Sequence, residues 1–274
     1  QLAPFLNHSY ANLNSTDGSS LWFLFVLQPL YLYFDFSGYT DIAIGLAKTY
    51  GIDLLPNFNR PFFSENVTTF WKRFHISLSS WFNDYIFRQL SYKRRKWGIY
   101  ASTYAVFLTF TLFGIWHGAG WNFMILGLLQ AAAINFEFFT KGYRLRLFSK
   151  VPTFFRIWTG RLMTYLFYCG SLVFFFSPDL DSALDFFARL LMIRGSIPAA
   201  ILNSVPIQSL VFIMLFLFLE LIENDFKNIS DILNSTWFSP NKCIKVFRWI
   251  IYYYALLTIF VLGNQAQQFI YFKF

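Results

Sequence analysis

The sequence predicts an all-α, polytopic transmembrane protein with re-entrant or interfacial helices. Three observations carry that reading. Hydrophobic residues make up 56% of the 274, charged residues only 13%, and the mean hydropathy is +0.45, a poor fit to a soluble domain. Apolar runs of near-membrane length recur along the chain, and at roughly 20 residues per crossing six or seven spans fit. Basic clusters, finally, flank the apolar runs. Two cysteines, Cys169 and Cys243, are too few for a disulfide framework or a thiolate metal site. Cys169 therefore reads as a small packing residue. No metal and no nucleic-acid partner are expected; the partner the composition demands is a lipid bilayer.

Residues 1–19 are polar and predict an exposed loop, with His8 among them and no signal-peptide pattern. The chain starts at Gln1 without Met and reads as the later part of a longer protein. Leu21–Phe34 is the first apolar run. Pro29, Gly38, Asp35 and Asp41 predict a broken or kinked pair of helical pieces before Ile42–Tyr50, with both acids facing inward, because irregular backbone at membrane depth needs protein or a wet cavity beside it. Gly51–Ser64, with Pro56 and Pro61, reads as a loop.

Trp71, Phe74, His75, Leu78, Trp81, Phe82 and Tyr85 recur at spacings of three and four and predict one amphipathic helix at the interface, with His75 on its apolar face. Arg88 to Lys96 then carries five cations and no acid, which assigns it to the cytoplasmic side. Tyr100–Ile115 and Phe123–Phe139 form a hairpin whose far end, flanked by Lys141, Arg144, Arg146 and Lys150, returns to that side. At about 1.5 Å per residue the first run covers roughly 24 Å, short of a hydrocarbon core of roughly 30 Å. The joint Trp116-His117-Gly118 is thereby submerged. Leu162–Phe176, Ile207–Leu221 and Phe247–Leu262 read as further spans, Asp181–Ser204 as an amphipathic excursion, Glu223–Lys245 as a polar stretch, and Phe269–Phe274 as an aromatic end. The Asn-X-Ser/Thr triplets at Asn7, Asn14, Asn66, Asn228 and Asn234 read as coincidence.

The chain has three histidines. An ionisable ring at the joint of two membrane-length segments marks a functional site by default, since submerging it is costly. His117 is thus the candidate reaction centre and His75 its candidate partner. The bland readings are a helix-capping role for His117 and a histidine satisfied within an interfacial helix for His75. A neutral imidazole can take the proton of an attacking hydroxyl, which typically gains about 10²–10⁴-fold. Trp116 or the second histidine could orient substrate or donate to a developing oxyanion. Gly118 and Gly120 would let substrate approach the backbone. Asp35, Asp41 and Asp84 read first as structural acceptors or ion-pair partners.

Taken in order, Tyr33-Phe-Asp-Phe-Ser-Gly-Tyr-Thr-Asp-Ile-Ala-Ile-Gly45, Asn57-Phe-Asn-Arg-Pro-Phe62, Phe70-Trp-Lys-Arg-Phe-His-Ile-Ser-Leu-Ser79, Trp81-Phe-Asn-Asp-Tyr85 and Trp116-His-Gly118 resemble the membrane-bound O-acyltransferase family. The likeness is to its bacterial branch of alginate O-acetyltransferase and D-alanyl-lipoteichoic-acid transferase proteins, from about residue 20 to 140 and again at the aromatic end. The resemblance implies a helical fold around a buried tunnel in the bacterial inner membrane, with 1–274 the C-terminal part of a single membrane domain whose earlier helices lie upstream. It implies His117 as the catalytic histidine and His75 as the second tunnel histidine, with Trp116, Gly118, Trp71, Trp81 and Asp84 in support. It implies acyl-CoA or an acyl carrier protein as thioester donor, with no tightly bound cofactor. The acyl group, acetyl first, passes to a hydroxyl of an exported polysaccharide or through a periplasmic partner. Asn83 departs from the Arg expected in a Trp-Phe-Arg-Asp stretch, and Arg88-Gln-Leu-Ser-Tyr-Lys93 replaces a Pro-Leu-Gly-Gly-type turn; both put the donor in question.

Lys93, Arg94, Arg95 and Lys96 have a purely topological reading and a functional one, docking of an acidic donor. D-alanyl transfer to teichoic acid is the alternative within enzymes. A transporter or channel subunit is the alternative outside them, since buried ionisable groups and broken helices also line transport paths.

Overall fold

The computed structural model describes residues 2–13, 16, 18–192, 207–225, 231, 235–237 and 241–262. It is all-helical, with no strand among those residues. The chain forms two units, residues 1–209 and 210–274. Of the described helices, two are long and apolar enough to cross a membrane, fewer than the six or seven that fit by length. Charge accounts for part of the difference: the helix Gly18–Thr49 carries Asp35, Asp41 and Lys48, and Thr153–Phe176 carries Arg156 and Arg161.

The N-terminal stretch is a helix rather than an exposed loop. Helix α1 (Leu2–Ala11) buries Leu6 and Ser9, and Leu13 follows them inward. Its Tyr10 hydroxyl donates to Gln28 Oε1 at 2.6 Å and its ring stacks on Phe186 at 5.4 Å. These partners lie far along the chain, so the local polarity that suggested a loop is overridden. Asn14 lies outside the described residues.

Helix α2 (Gly18–Thr49) is continuous, where a broken pair was expected. Pro29 removes one backbone donor but does not end the helix, and it is fully buried. Asp41 is exposed rather than inward, and Asp35 is half-buried near Tyr31. Gln28, fully buried, also donates to the Cys169 carbonyl at 2.7 Å, and Tyr165 donates to the Val26 carbonyl at 2.7 Å. Cys169 itself is buried, as a packing residue would be.

The expected single amphipathic helix is instead several pieces. Helix α3 (Val67–Trp71) ends before His75, α4 (Ile76–Phe82) starts after it, a wide turn covers Asn83–Phe87, and α5 (Arg88–Lys93) follows. The break is at His75, whose backbone is left-handed at φ 49°, ψ 53°. The three-and-four spacing therefore does not describe one face. Phe74 and Phe82 are buried, but Trp81 and Tyr85 are exposed.

Helices α6 (Ile99–His117) and α7 (Trp121–Leu147) form the expected hairpin, with α7 running on through Lys141, Arg144 and Arg146. Their closeness has a steric cause. A side chain on Gly114 would strike the Phe123 carbonyl oxygen, and one on Gly127 the Phe110 carbonyl oxygen. Helix α8 (Thr153–Phe176) packs against α2 and α7, and α9 (Leu180–Leu190) turns its Ala183, Phe186 and Leu190 face inward. Asp179 caps α9 by accepting from the Ser182 amide at 2.8 Å. The amphipathic excursion is thus present to Leu190, while Arg194, Pro198 and the rest of it lie outside the described residues. In the second unit, α10 (Ile207–Asp225) and α11 (Lys242–Leu262) extend the predicted runs, and Arg248 donates to the Trp237 carbonyl at 3.0 Å. Asn228, Asn234 and Phe269–Phe274 lie outside the described residues, as does the side chain of Cys243.

Candidate active site

His117 closes α6, and its ring lies among three aromatics. The ring centroids of Phe113, Trp116 and Phe175 are 4.7, 4.8 and 5.3 Å from it. Phe175 arrives from α8, and a buried amide places it there: Asn122 Nδ2, at the start of α7, donates to the Phe174 carbonyl at 3.1 Å and the Ser177 carbonyl at 2.9 Å. The turn after His117 is packed on one face and exposed at Ala119 and Gly120. A side chain on Gly118 would strike the Phe123 ring, and one on Gly120 the Asn122 side chain.

His75 reaches the same region from the α3–α4 break. Its ring lies 4.5 Å from Phe36 of α2 and close enough to His117 that the two imidazoles interact electrostatically. The left-handed backbone costs a residue with a Cβ of order 1–3 kcal/mol and persists only where its surroundings over-determine it. Here they do. Asn59 N donates to the Arg73 carbonyl at 2.9 Å and Ile76 N to the Asn57 carbonyl at 3.0 Å. The Asn57 side chain accepts from the Ser77 amide at 3.1 Å and the Ser77 hydroxyl at 2.6 Å. Rings of Phe58 and Phe74 meet behind this seam at 5.2 Å. Burial, and secondarily the nearby His117, push the His75 imidazole down to about 3, so it stays neutral at ordinary pH.

Trp71 joins the two histidines' surroundings. Its indole faces Phe113 at 4.9 Å and Phe110 at 5.3 Å, and its N–H donates to Gln130 Oε1 at 3.1 Å. Trp71 and Phe113 also line a cavity of about 450 Å³. Lys72, Ser79, Ser80 and Asn83 give it a polar edge; Thr109 and Phe110 are part of its wall. The Thr109 hydroxyl is buried and has no hydrogen-bond partner.

Of the residues singled out in the sequence, His117, His75, Trp116, Gly118 and Trp71 are brought together. Trp81 and Asp84 are not. Trp81 is 51% exposed and packs on Tyr85 at 5.3 Å, while Asp84 pairs with Arg88 at 3.2 Å and accepts from Asn83 at 2.9 Å. Lys93, Arg94, Arg95 and Lys96 are exposed at the opposite end of α6 from His117, roughly 28 Å away along the helix at 1.5 Å per residue. Arg94 lies over Trp97 at 4.8 Å and Arg95 over Tyr92 at 4.7 Å. Gln130, Glu137 and Asn122 were missed. A signal existed for the first two: polar residues seven apart inside an apolar run share a helix face and deserve the same suspicion as a submerged histidine.

A match over residues 4–177, which holds this whole constellation, places the chain in the MBOAT, membrane-bound O-acyltransferase, family. The chain belongs to that family. Among its relatives, a probable alginate O-acetylase AlgI of Azotobacter vinelandii is 42% identical over 50% of this chain and 27% of its own length. A teichoic acid D-alanyltransferase of Bacillus subtilis is 42% identical over 41% of this chain and 30% of its own. A peptidoglycan O-acetyltransferase of Helicobacter pylori is 32% identical over 70% of this chain and 36% of its own. The chain thus matches about a third or less of the length of these relatives.

The displaced titration of His75 sets a stability window. Its folded value lies below the ordinary 6.5, so the unfolded state binds the extra proton first on acidification. Stability is fully present above pH 6.5 and is lost progressively as pH falls toward 3. Thermal unfolding in detergent across that window should show a shallower acid loss in His75→Gln than in the parent protein; parallel curves would mean that His75 is not held neutral.

Proposed function

We propose that the protein is a membrane-bound O-acyltransferase of the inner membrane that moves an acyl group, acetyl in the first instance, from a cytoplasmic thioester to a hydroxyl of an exported polysaccharide. The pairing of two histidines from separate elements inside one aromatic enclosure carries this reading. Family membership supports the class of reaction, and the alginate and peptidoglycan O-acetylating relatives support acetyl transfer to a glycan. In the reaction, the His117 imidazole takes the proton of the acceptor hydroxyl as its oxygen attacks the thioester carbonyl. The tetrahedral oxyanion collapses, the C–S bond breaks, and the thiolate takes the proton back from His117. Ester and free thiol leave. His75, neutral, offers one N–H to the oxyanion or orients the acceptor. Trp71 and Phe113 exclude water that would hydrolyse the thioester.

The hairpin reading places Lys93–Lys96 on the cytoplasmic side and His117 within the bilayer, at the head of a buried tunnel. A donor would then bind its acidic body, of coenzyme A or a carrier protein, at the cations and extend its thioester arm past Lys72 and Thr109 toward Phe113. D-alanyl transfer to teichoic acid is the second reading, favoured by the 42% identity to the Bacillus subtilis enzyme. Products identified after incubation with acetyl and D-alanyl thioesters separate the two.

His117→Ala should insert and fold yet transfer no acyl group above background in a membrane assay supplied with thioester and glycan acceptor. Near-normal transfer would remove His117 from the mechanism, and transport without transfer would favour a channel or carrier. Replacing Lys93, Arg94, Arg95 and Lys96 together with Gln should weaken donor use at low salt and flatten its salt dependence, because screening acts on exposed charges. Unchanged donor affinity at low salt in the correctly inserted fraction would leave the cluster a topological signal only.

A further inference from the structure

Two polar side chains of α7, Gln130 and Glu137, reach toward α3. Glu137 Oε1 accepts from the Val67 amide at 2.6 Å, and Oε2 accepts from the Thr68 amide at 3.0 Å and the Thr68 hydroxyl at 2.7 Å. One carboxylate therefore receives three donors and satisfies the first turn of α3, alongside Asn66, which accepts from the Thr69 amide at 2.8 Å. Seven residues earlier on the same face of α7, Gln130 accepts the Trp71 indole N–H at the other end of α3. Gln130 is 1% exposed, and its Nε2 has no hydrogen-bond partner among the described residues. Keeping an amide half-satisfied at full burial is costly, so the bond to Trp71 is what that residue retains.

The pair holds α3 at both ends, and α3 has only five residues. Immediately beyond it, Lys72 and Phe74 still bond back to Thr69 and Phe70 carbonyls, so the segment from Val67 to Phe74 behaves as one body. His75 is the next residue. Helix α7 is in turn fixed to α6, and so to His117, through the glycine contact of the hairpin. A short rigid path thus runs from His117 through α6 and α7 to Glu137 and Gln130, and from them through α3 to His75.

We infer that Glu137 and Gln130 are positioning residues that set His75 against His117 by clamping the two ends of α3 to α7. Neither touches the reacting atoms. This rests on the reading of His75 as a participant in acyl transfer. A displacement of about 1 Å in a catalytic group can cost 10²-fold in rate, so loosening either end of α3 should lower turnover while leaving donor affinity alone.

The test is a pair of double-mutant cycles on the full membrane-inserted protein, with kcat and KM measured for an acetyl thioester. Glu137→Gln cannot accept at both positions, because its NH₂ would face an amide N–H, and kcat should fall tenfold or more with KM changed less than twofold. Gln130→Met keeps the side-chain volume, removes the acceptor for Trp71, and should act in the same direction if Glu137→Gln proves too unstable to purify. In a His75→Ala background, either substitution should produce little further loss, since the group it positions is gone. Independent, multiplicative losses in that background, or a change in KM alone, would overturn the inference and leave the two residues structural. If His75→Ala itself matched wild type in kcat, the fault would lie with the assignment of His75, and the inference would fall with it.

Discussion

Everything at the site depends on how closely α6 and α7 pack. At Gly114 and Gly127 each helix presses its backbone against a carbonyl of the other, and no Cβ fits at either point. Because of that approach the hairpin is a single stiff element rather than two helices that can slide. His117 is carried at its tip, and Gln130 and Glu137 are carried along its side. The short helix α3 can then be fixed to α7 and still deliver His75, just beyond its end, to the histidine on α6. The tip is secured separately by Asn122, whose amide holds the end of α8 and with it the Phe175 ring beside His117.

The rings packed on the two imidazoles are aromatic, which suits a general base. Rings of Phe36, Phe113, Trp116 and Phe175 pack on the two imidazoles. Of the acids that the sequence put forward, Asp41 is exposed and Asp84 is engaged with Arg88, while Asp35 is half-buried on α2, next in the chain to Phe36. Glu137, farther along α7, spends both carboxylate oxygens on three donors of α3. Low dielectric of this kind disfavours an imidazolium at rest and strengthens the few hydrogen bonds that a transition state would use.

Much of this was legible in the sequence, though unevenly. The hairpin and the place of His117 followed from two apolar runs meeting at a glycine-rich joint, a signal that depends on local composition alone. The surroundings of His75 did not. Trp71, Phe74, Leu78 and Phe82 mimic the spacing of one helix, yet the chain turns left-handed between Phe74 and Ile76 because Asn57 and Asn59 bond across it from a loop that periodicity cannot see. Helix α1 was missed for a similar reason: its burial rests on Gln28 and Phe186, both distant in sequence. Gln130 and Glu137 were visible as letters but hidden by the hydropathy of the run around them.

The central claim is that His117 faces the reacting atoms, with His75 beside it. An experimental structure of the protein with a non-transferable thioester analogue tests this most directly. The account places the analogue's carbonyl carbon about 3–3.5 Å from where an acceptor oxygen would sit, with that oxygen within hydrogen-bond reach of the His117 ring and its arm leading past Thr109. An analogue whose carbonyl settles at a different group, with His117 still enclosed by Phe113, Trp116 and Phe175, would contradict it.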